Sequence, residues 1–158
     1  MPRNALSLVR RPPIVRRMTG CLTIEDITRL NREPIEELQS TAESLDPQEA
    51  DSCAILARQV VQVEVTLKNT YKLAALLAKR SETPEQEAEI WQDMRKYSEA
   101  VISALNELKD TYPQCGTPGL YNLALDYRIA ADARLSRIKE SIQCQSLPMP
   151  DGLFPRMT

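Results

Sequence analysis

Cysteine and histidine often supply nucleophiles and metal ligands in proteins, and this chain has four of the first and none of the second. The absence of histidine removes the commonest general base and the commonest metal ligand. No two cysteines form a C-x-x-C pair, so their spacing does not indicate a zinc site; they are Cys21, Cys53, Cys115 and Cys144. Because the sequence shows no export signal, we expect all four to be reduced thiols.

Two of these cysteines stand in informative contexts. Cys53 falls on an apolar stripe at helical spacing, which predicts a small core residue rather than a nucleophile. Cys115 comes just before a predicted helix start, where the helix dipole can stabilise a thiolate. A reactive thiolate also needs an activating base or charge partner. Since histidine is absent, we expect no reactive role for Cys115, and it is the only residue that suggests an enzyme.

Carboxylates and glycines give no stronger indication of chemistry. A carboxylate-bridged di-metal site in a helical bundle needs Glu-x-x-His pairs, which cannot occur here. Glu64 is embedded among valines, but Lys68 four residues later predicts an ion pair along a helix. The four glycines fit no phosphate loop, nucleotide fingerprint or nucleophile elbow. The helix dipole explains a group of glutamates around a predicted helix start: Glu82, Glu85, Glu87 and Glu89. The sequence therefore predicts no catalytic, cofactor-binding or metal-binding residues and no enzymatic activity.

Tyrosine is the residue type that best suggests recognition in this chain. The five tyrosines are expected at the edge of a core, with their hydroxyl groups reaching water. Three of them, Tyr112, Tyr121 and Tyr127, gather around one predicted corner between two helices. Because tyrosine is enriched at binding hot spots, we predict these three as the partner-binding residues.

Charge is distributed unevenly along the chain. Residues 1–20 contain five arginines and no acid, so the rest of the chain carries all 22 acidic residues against 15 basic ones. The candidate nucleic-acid contacts in this arm are Arg10, Arg11, Arg16 and Arg17. The arm admits three interpretations: a disordered tail that touches nucleic acid or anionic lipid, a targeting segment, or an extension ahead of a start at Met18. The acidic remainder argues against a wide nucleic-acid surface elsewhere, so nucleic-acid binding is possible only through residues 1–17.

The C-terminal residues 146–158 are predicted to form an irregular tail. Three prolines within them prevent regular secondary structure. Four large apolar residues, Leu147, Met149, Leu153 and Phe154, make this tail unusually apolar. We expect it to pack back on the bundle, with capture by a partner as the alternative.

Caps and prolines predict where the helices begin. Thr23 with Asp26 predicts a capping box for a short helix, and Pro34 restarts the chain so that residues 23–44 form one or two short helices. Three long helices are predicted at about 47–80, 84–111 and 118–143. Their starts are marked by Asp46 with Pro47 and Glu49, by Thr83 with Pro84 and Gln86, and by Thr117 with Pro118.

Apolar periodicity predicts how these helices pack. The first long helix carries an apolar stripe that Val61, Val65 and Tyr71 widen, which indicates contact with more than one neighbour. The stripe of this helix includes Leu56, Val63, Leu67 and Ala74, and that of the second long helix includes Met94, Val101, Leu105 and Leu108. Short turns between the long helices require neighbouring helices to run antiparallel. Hydrophobic residues make up 42% of the chain, enough to fold. We therefore predict an all-α fold: an antiparallel helical bundle forming a single domain over residues 21–145, with the short helices covering one side.

Two functions of different class are consistent with this sequence. The first is a non-enzymatic interaction module, an adaptor, regulator or small inhibitor that binds another protein or a second copy of itself through a helix face or groove. The alternative is a nucleic-acid-associated regulator that uses the arginine arm, with residues 23–44 as a degenerate helix-turn-helix. Its weakness is that residues 34–44 carry Glu36, Glu37 and Glu43 where a recognition helix needs cations or amides. No apolar run approaches membrane-spanning length, so we expect no membrane partner and a cytoplasmic protein.

Overall fold

The computed structural model describes residues 23–146, which form five α-helices and no β-strand. The predicted all-α class is confirmed, as are the three long helices and a pair of short ones. The five are α1 (Ile24–Leu30), α2 (Glu33–Ser44), α3 (Ser52–Lys79), α4 (Pro84–Thr111) and α5 (Pro118–Ser146). The expectations for residues 1–20, and for the tail beyond Ser146, lie outside the described residues.

The three long helices form an antiparallel bundle that α1 and α2 cover on one side. The most extensive contact is between α4 and α5, and α1 and α2 both pack against α3 and α4. Small side chains explain the close approach of α5 to α4, because Ala124 and Ala131 are fully buried on α5. No helix in the described part of the chain is both long and apolar enough to cross a lipid bilayer.

The predicted helix caps are confirmed at two starts. At α1, Thr23 Oγ1 accepts a hydrogen bond from the Asp26 amide at 3.1 Å, and Asp26 Oδ2 accepts one from the Thr23 amide at 3.2 Å. At α4, Thr83 Oγ1 accepts from the Gln86 amide at 3.1 Å. These side chains satisfy amides that have no partner within the helix.

The start of α3 differs from the prediction. Asp46 was expected as its N-cap, with Pro47 and Glu49 in the first turn, but residues 47–51 form turns and the helix begins at Ser52. Asp46 Oδ1 accepts a hydrogen bond at 3.0 Å from the Gln48 amide, as an N-cap does, but the Glu49 amide closes a tight turn on the Asp46 carbonyl at 3.0 Å. Ser52 Oγ donates to the Asp46 carbonyl at 2.7 Å and fixes this turn against the helix.

The core lies where α3, α4 and α5 face one another. Its largest fully buried side chains include Trp91, Tyr97 and Tyr112. The apolar stripes predicted for α3 and α4 supply eight more buried side chains: Leu56, Val63, Leu67, Ala74, Met94, Val101, Leu105 and Leu108. Helical periodicity therefore predicted correctly which side of these two helices faces inward.

Hydrogen bonds between buried polar groups tie the short helices to the bundle. Tyr97 Oη donates to the Asn31 carbonyl at 2.7 Å, and Asn31 Nδ2 donates to Thr70 Oγ1 at 2.7 Å. Tyr112 Oη donates to the Ala42 carbonyl at 2.6 Å. Each such bond is worth about 1 kcal/mol net, and losing one partner costs more because the other stays buried. These contacts fix α1 and α2 on the side of α3 and α4.

Candidate functional site

A disulfide bond joins Cys53 to Cys115, with the two Cα atoms 5.2 Å apart. The expectation that all four cysteines are reduced is therefore wrong for this pair, and neither can act as a free nucleophile. Bundle topology explains the pairing, because α4 returns the chain to the end of the bundle where α3 begins. Cys144 is free and exposed, and Cys21 lies outside the described residues.

The three tyrosines predicted as partner-binding residues lie in different environments. Tyr112 is fully buried, and its hydroxyl lies 2.6 Å from the Ala42 carbonyl and 3.0 Å from the Leu45 carbonyl. The expectation that tyrosine hydroxyls reach water is therefore wrong for Tyr112, and also for buried Tyr97. Tyr112 offers no free surface in this conformation, and its role here is to hold the end of α2.

Tyr121 lines a groove of about 370 Å³ beside the disulfide bond. The groove also includes Lys109, Asn106 and Asn122, and Lys109 is its one charged side chain. The volume is that of a small-molecule pocket, but the lining has no carboxylate and its only cysteine is in the disulfide. This arrangement does not indicate catalysis.

Tyr127 belongs to a cluster of aromatic rings between α3, α4 and α5. Its ring stacks on Tyr71 with centroids 4.1 Å apart, and Tyr71 in turn lies 5.7 Å from Trp91. The Arg134 guanidinium lies 4.4 Å above the buried Trp91 ring, a cation–π contact. Burial raises the pKa of Tyr127, while Lys68 acts in the opposite direction. The cluster packs three helices together.

Titratable groups show no catalytic arrangement among the described residues. Burial raises the pKa of Tyr97 to about 12, which keeps its hydroxyl protonated and donating. Burial also raises the pKa of Asp93. The predicted pair of Glu64 and Lys68 is confirmed, with 3.1 Å between Oε2 and Nζ. Residues 23–146 contain no group of three or more cysteine, aspartate or glutamate side chains arranged to hold a metal ion.

Among residues 23–146, the outer side of α3 carries the most extended set of exposed aliphatic side chains. At 100° per residue they fall within a sector of about 120° opposite the buried stripe of this helix. We call this surface the outer face of α3. Its aliphatic members and their exposed fractions are Ile55 at 36%, Val61 at 57%, Val65 at 46%, Leu73 at 40% and Leu76 at 49%.

The outer face of α3 corrects one sequence interpretation. Val61 and Val65 widen the apolar stripe, and we expected them to reach additional helices of the bundle. Tyr71 does so, since it contacts both Trp91 and Tyr127. Val61 and Val65 instead face outward. The sequence does contain a feature that could have predicted this surface. The apolar residues of α3 extend around more of the helix than the neighbouring helices of a small bundle can cover.

Basic side chains accompany the aliphatic ones on the outer face of α3. Arg58, Lys68 and Lys72 are exposed in the same sector or at its edge, and Lys79 follows at the end of the helix. The one acid on α3 is Glu64, which pairs with Lys68. The outer face is therefore both apolar and positively charged.

The structure does not test the candidate nucleic-acid contacts of the arm, and comparison with known proteins does not assign a family. The arm residues Arg10, Arg11, Arg16 and Arg17 lie outside the described range. The sequence matches no protein-family model, and comparison with curated proteins and with solved structures finds no significant match.

Proposed function

We propose that this protein is a non-enzymatic helical interaction module that binds another protein through the outer face of α3. The observation that carries the proposal is the set of five exposed aliphatic residues along one side of this helix. Single exposed aliphatic residues are ordinary on protein surfaces, but an extended apolar surface commonly marks an interaction site. The α3 face extends from Ile55 to Leu76, about 30 Å at 1.5 Å per residue.

Burying the aliphatic side chains of this face would contribute several kcal/mol to binding. Fully burying one Val, Leu or Ile side chain is worth about 1.5–3 kcal/mol. The five residues are roughly half covered already. Completing their burial therefore gives about 5 kcal/mol before the entropic cost of association.

The nucleic-acid alternative has less support from the described residues. In that interpretation α2 would be the recognition helix, but Glu36, Glu37 and Glu43 are exposed on it. Carboxylates on that surface repel phosphate. The alternative then depends on residues 1–17, which lie outside the described range.

Site-specific photo-crosslinking tests the proposed function. A photoreactive phenylalanine analogue is placed at Val61, Val65 or Leu76 in the full chain, and matched controls carry it at exposed Ser103 on α4 or Ser136 on α5. The proteins are irradiated in an extract of the cells that make this protein. We expect the same protein to be crosslinked from the three α3 positions and from neither control.

The pattern across positions decides the outcome. Adding the substitution Val61→Glu should abolish crosslinking from Val65 and Leu76, because a carboxylate then has to be buried in an apolar contact. Equal crosslinking from α3 and the control positions, or none from α3, would refute the proposed function.

A further inference from the structure

We infer that the partner presents an acidic amphipathic helix, which lies along the outer face of α3. This inference rests on the proposed function and specifies the chemistry of the occupant. The aliphatic residues on α3 supply the apolar half of the contact. The positive charges between and beside them determine which side chains the partner places around its own apolar stripe.

Three of the four cations on this face lack a neutralising partner in the described part of the chain. Lys68 pairs with Glu64 at 3.1 Å. Arg58, Lys72 and Lys79 form no ion pair with any described carboxylate. An apolar partner without acids would bring these charges close to a dry interface without compensation. A partner with acids at the rim of its apolar stripe neutralises them.

The positive charge is largest on α3, which has three more basic residues than acids, whereas the other described helices are acidic or nearly balanced. The α2 segment Glu33–Ser44 contains four glutamates and no basic residue. The α4 segment Pro84–Thr111 has seven acids against three basic residues. In contrast, Ser52–Lys79 has four basic residues and one acid. The α5 segment Pro118–Ser146 is nearly balanced, with four basic residues and three acids. The helix with the exposed aliphatic face is therefore also the one with the largest positive charge.

The shape of the face fits a helix as the occupant. The exposed aliphatic residues include Val61 with Val65, four apart, and Leu73 with Leu76, three apart. Side chains at these spacings form ridges on a helix surface, and such ridges pack into the grooves of a second helix. A partner helix of about 20 residues would match the length of the face, with apolar anchors at positions i, i+3 or i+4, and i+7.

A second copy of this chain is a poorer occupant. Two α3 helices packed face to face would bring the unpaired cations of both copies together. The exposed surface of α2 has the required acids, at Glu36, Glu37 and Glu43, but the apolar residues Ile35 and Leu38 of this helix are buried in its own core. An α2 surface from another copy would therefore leave the aliphatic residues of α3 uncovered.

An anionic lipid surface is also a poorer occupant. Helices that lie in a membrane interface commonly place Trp, Phe or Leu on the inserted side. The exposed apolar residues on α3 include no aromatic side chain, and three of the five are β-branched. The face is thus suited to packing against another helix.

Selection from a displayed library of random helical peptides tests this inference. The full chain is the target, and an uncharged Val61→Gln/Val65→Gln variant serves for counter-selection after circular dichroism shows that it retains its helices. Peptides that bind the first and not the second are sequenced. We expect enrichment of aspartate and glutamate beside a stripe of aliphatic residues.

Charge reversal on α3 gives the quantitative measurement. The best peptide is titrated against the full chain and an Arg58→Glu/Lys72→Glu variant, with an off-face Lys109→Glu/Lys139→Glu variant as the matched control. Loss of two favourable pairs and gain of two repulsions predicts about tenfold weaker binding for the first variant. The control should bind within about twofold of the wild-type chain.

The outcomes separate this inference from the proposed function. Enriched peptides with no acidic bias, or with a basic one, would overturn the acidic partner while leaving the interaction face in place. Failure to find any peptide that distinguishes the chain from the Val61→Gln/Val65→Gln variant would overturn the proposed function as well. Two further results assign the face to another occupant and overturn the inference. One is a dimer that Val61→Gln/Val65→Gln abolishes, and the other is binding to vesicles of phosphatidylserine and phosphatidylcholine that the same variant abolishes.

Discussion

Removing the disulfide bond between Cys53 and Cys115 should destabilise the bundle strongly. The bond closes a loop with a sequence separation of 62 residues. In the chain-entropy model, restricting a loop of this length in the unfolded state is worth about 4 kcal/mol at 25 °C. For a bundle of this size, that predicts a decrease in Tm of about 15 °C.

The assay is urea unfolding followed by circular dichroism in a Cys21→Ser/Cys144→Ser background, which leaves only the paired cysteines. Adding a reductant should lower the urea midpoint, and a Cys53→Ala/Cys115→Ala variant of the same background should have the low midpoint with or without reductant. Thiol titration of the denatured, unreduced chain should find no free thiol before reduction. An unchanged midpoint after full reduction, or free thiols in the unreduced chain, would refute this reasoning.

Three further predictions concern single side chains. Burial raises the pKa of Tyr97 to about 12, above the ordinary value of 10. The stabilising contribution of the protonated hydroxyl is therefore complete below pH 10 and lost as pH rises to 12. Tyr97→Phe should make the loss of stability with pH less steep over that range, as measured by alkaline unfolding. Val61→Glu should change the free energy of unfolding by less than about 0.5 kcal/mol, since Val61 is exposed, whereas Leu67→Ala should cost about 3 kcal/mol because Leu67 is fully buried. Urea unfolding measures both, and an equal loss would place Val61 in the core. Arg134→Gln removes the cation–π contact with Trp91 and should lower the free energy of unfolding by about 1 kcal/mol. The near-ultraviolet circular dichroism band of Trp91 should change as well. An unchanged band and an unchanged free energy of unfolding would show that this contact has no energetic role.

Local sequence signals predicted most of the helical architecture. Thr23 and Thr83 were identified as caps because a hydroxyl followed three residues later by an acid or amide satisfies free amides at a helix start. The same reasoning failed at Asp46, although the pattern there is similar. The Asp46 side chain does accept a capping bond from the Gln48 amide, but its carbonyl accepts from the Glu49 amide and the Ser52 hydroxyl, which closes a separate turn ahead of the helix. Competing local hydrogen bonds of similar energy decide such starts, and the residue types alone do not rank them.

The candidate site depended on tertiary contacts that spacing does not encode. Nothing in the positions of Cys53 and Cys115 indicates that a returning helix brings them together. Composition identified Tyr112 as a recognition residue, yet its hydroxyl reaches carbonyl groups of α2 and its ring fills the core. Periodicity identifies apolar sides of a helix but not how many neighbours are available to cover them. Only the assembled bundle shows that the outward side of α3 has none among the described helices.

The combination of aliphatic and basic residues on α3 is difficult to explain by solubility alone. Charges placed among exposed aliphatic residues do oppose aggregation, but acidic residues do this better than basic ones. Residues 21–158 outside α3 are acidic overall, so acids on α3 would also increase repulsion between copies of the protein. Basic residues reduce that repulsion and make the apolar face attractive to negatively charged surfaces. Under the proposal of an acidic partner such a face is advantageous, and the charge of α3 would then select the partner more than its hydrophobicity does.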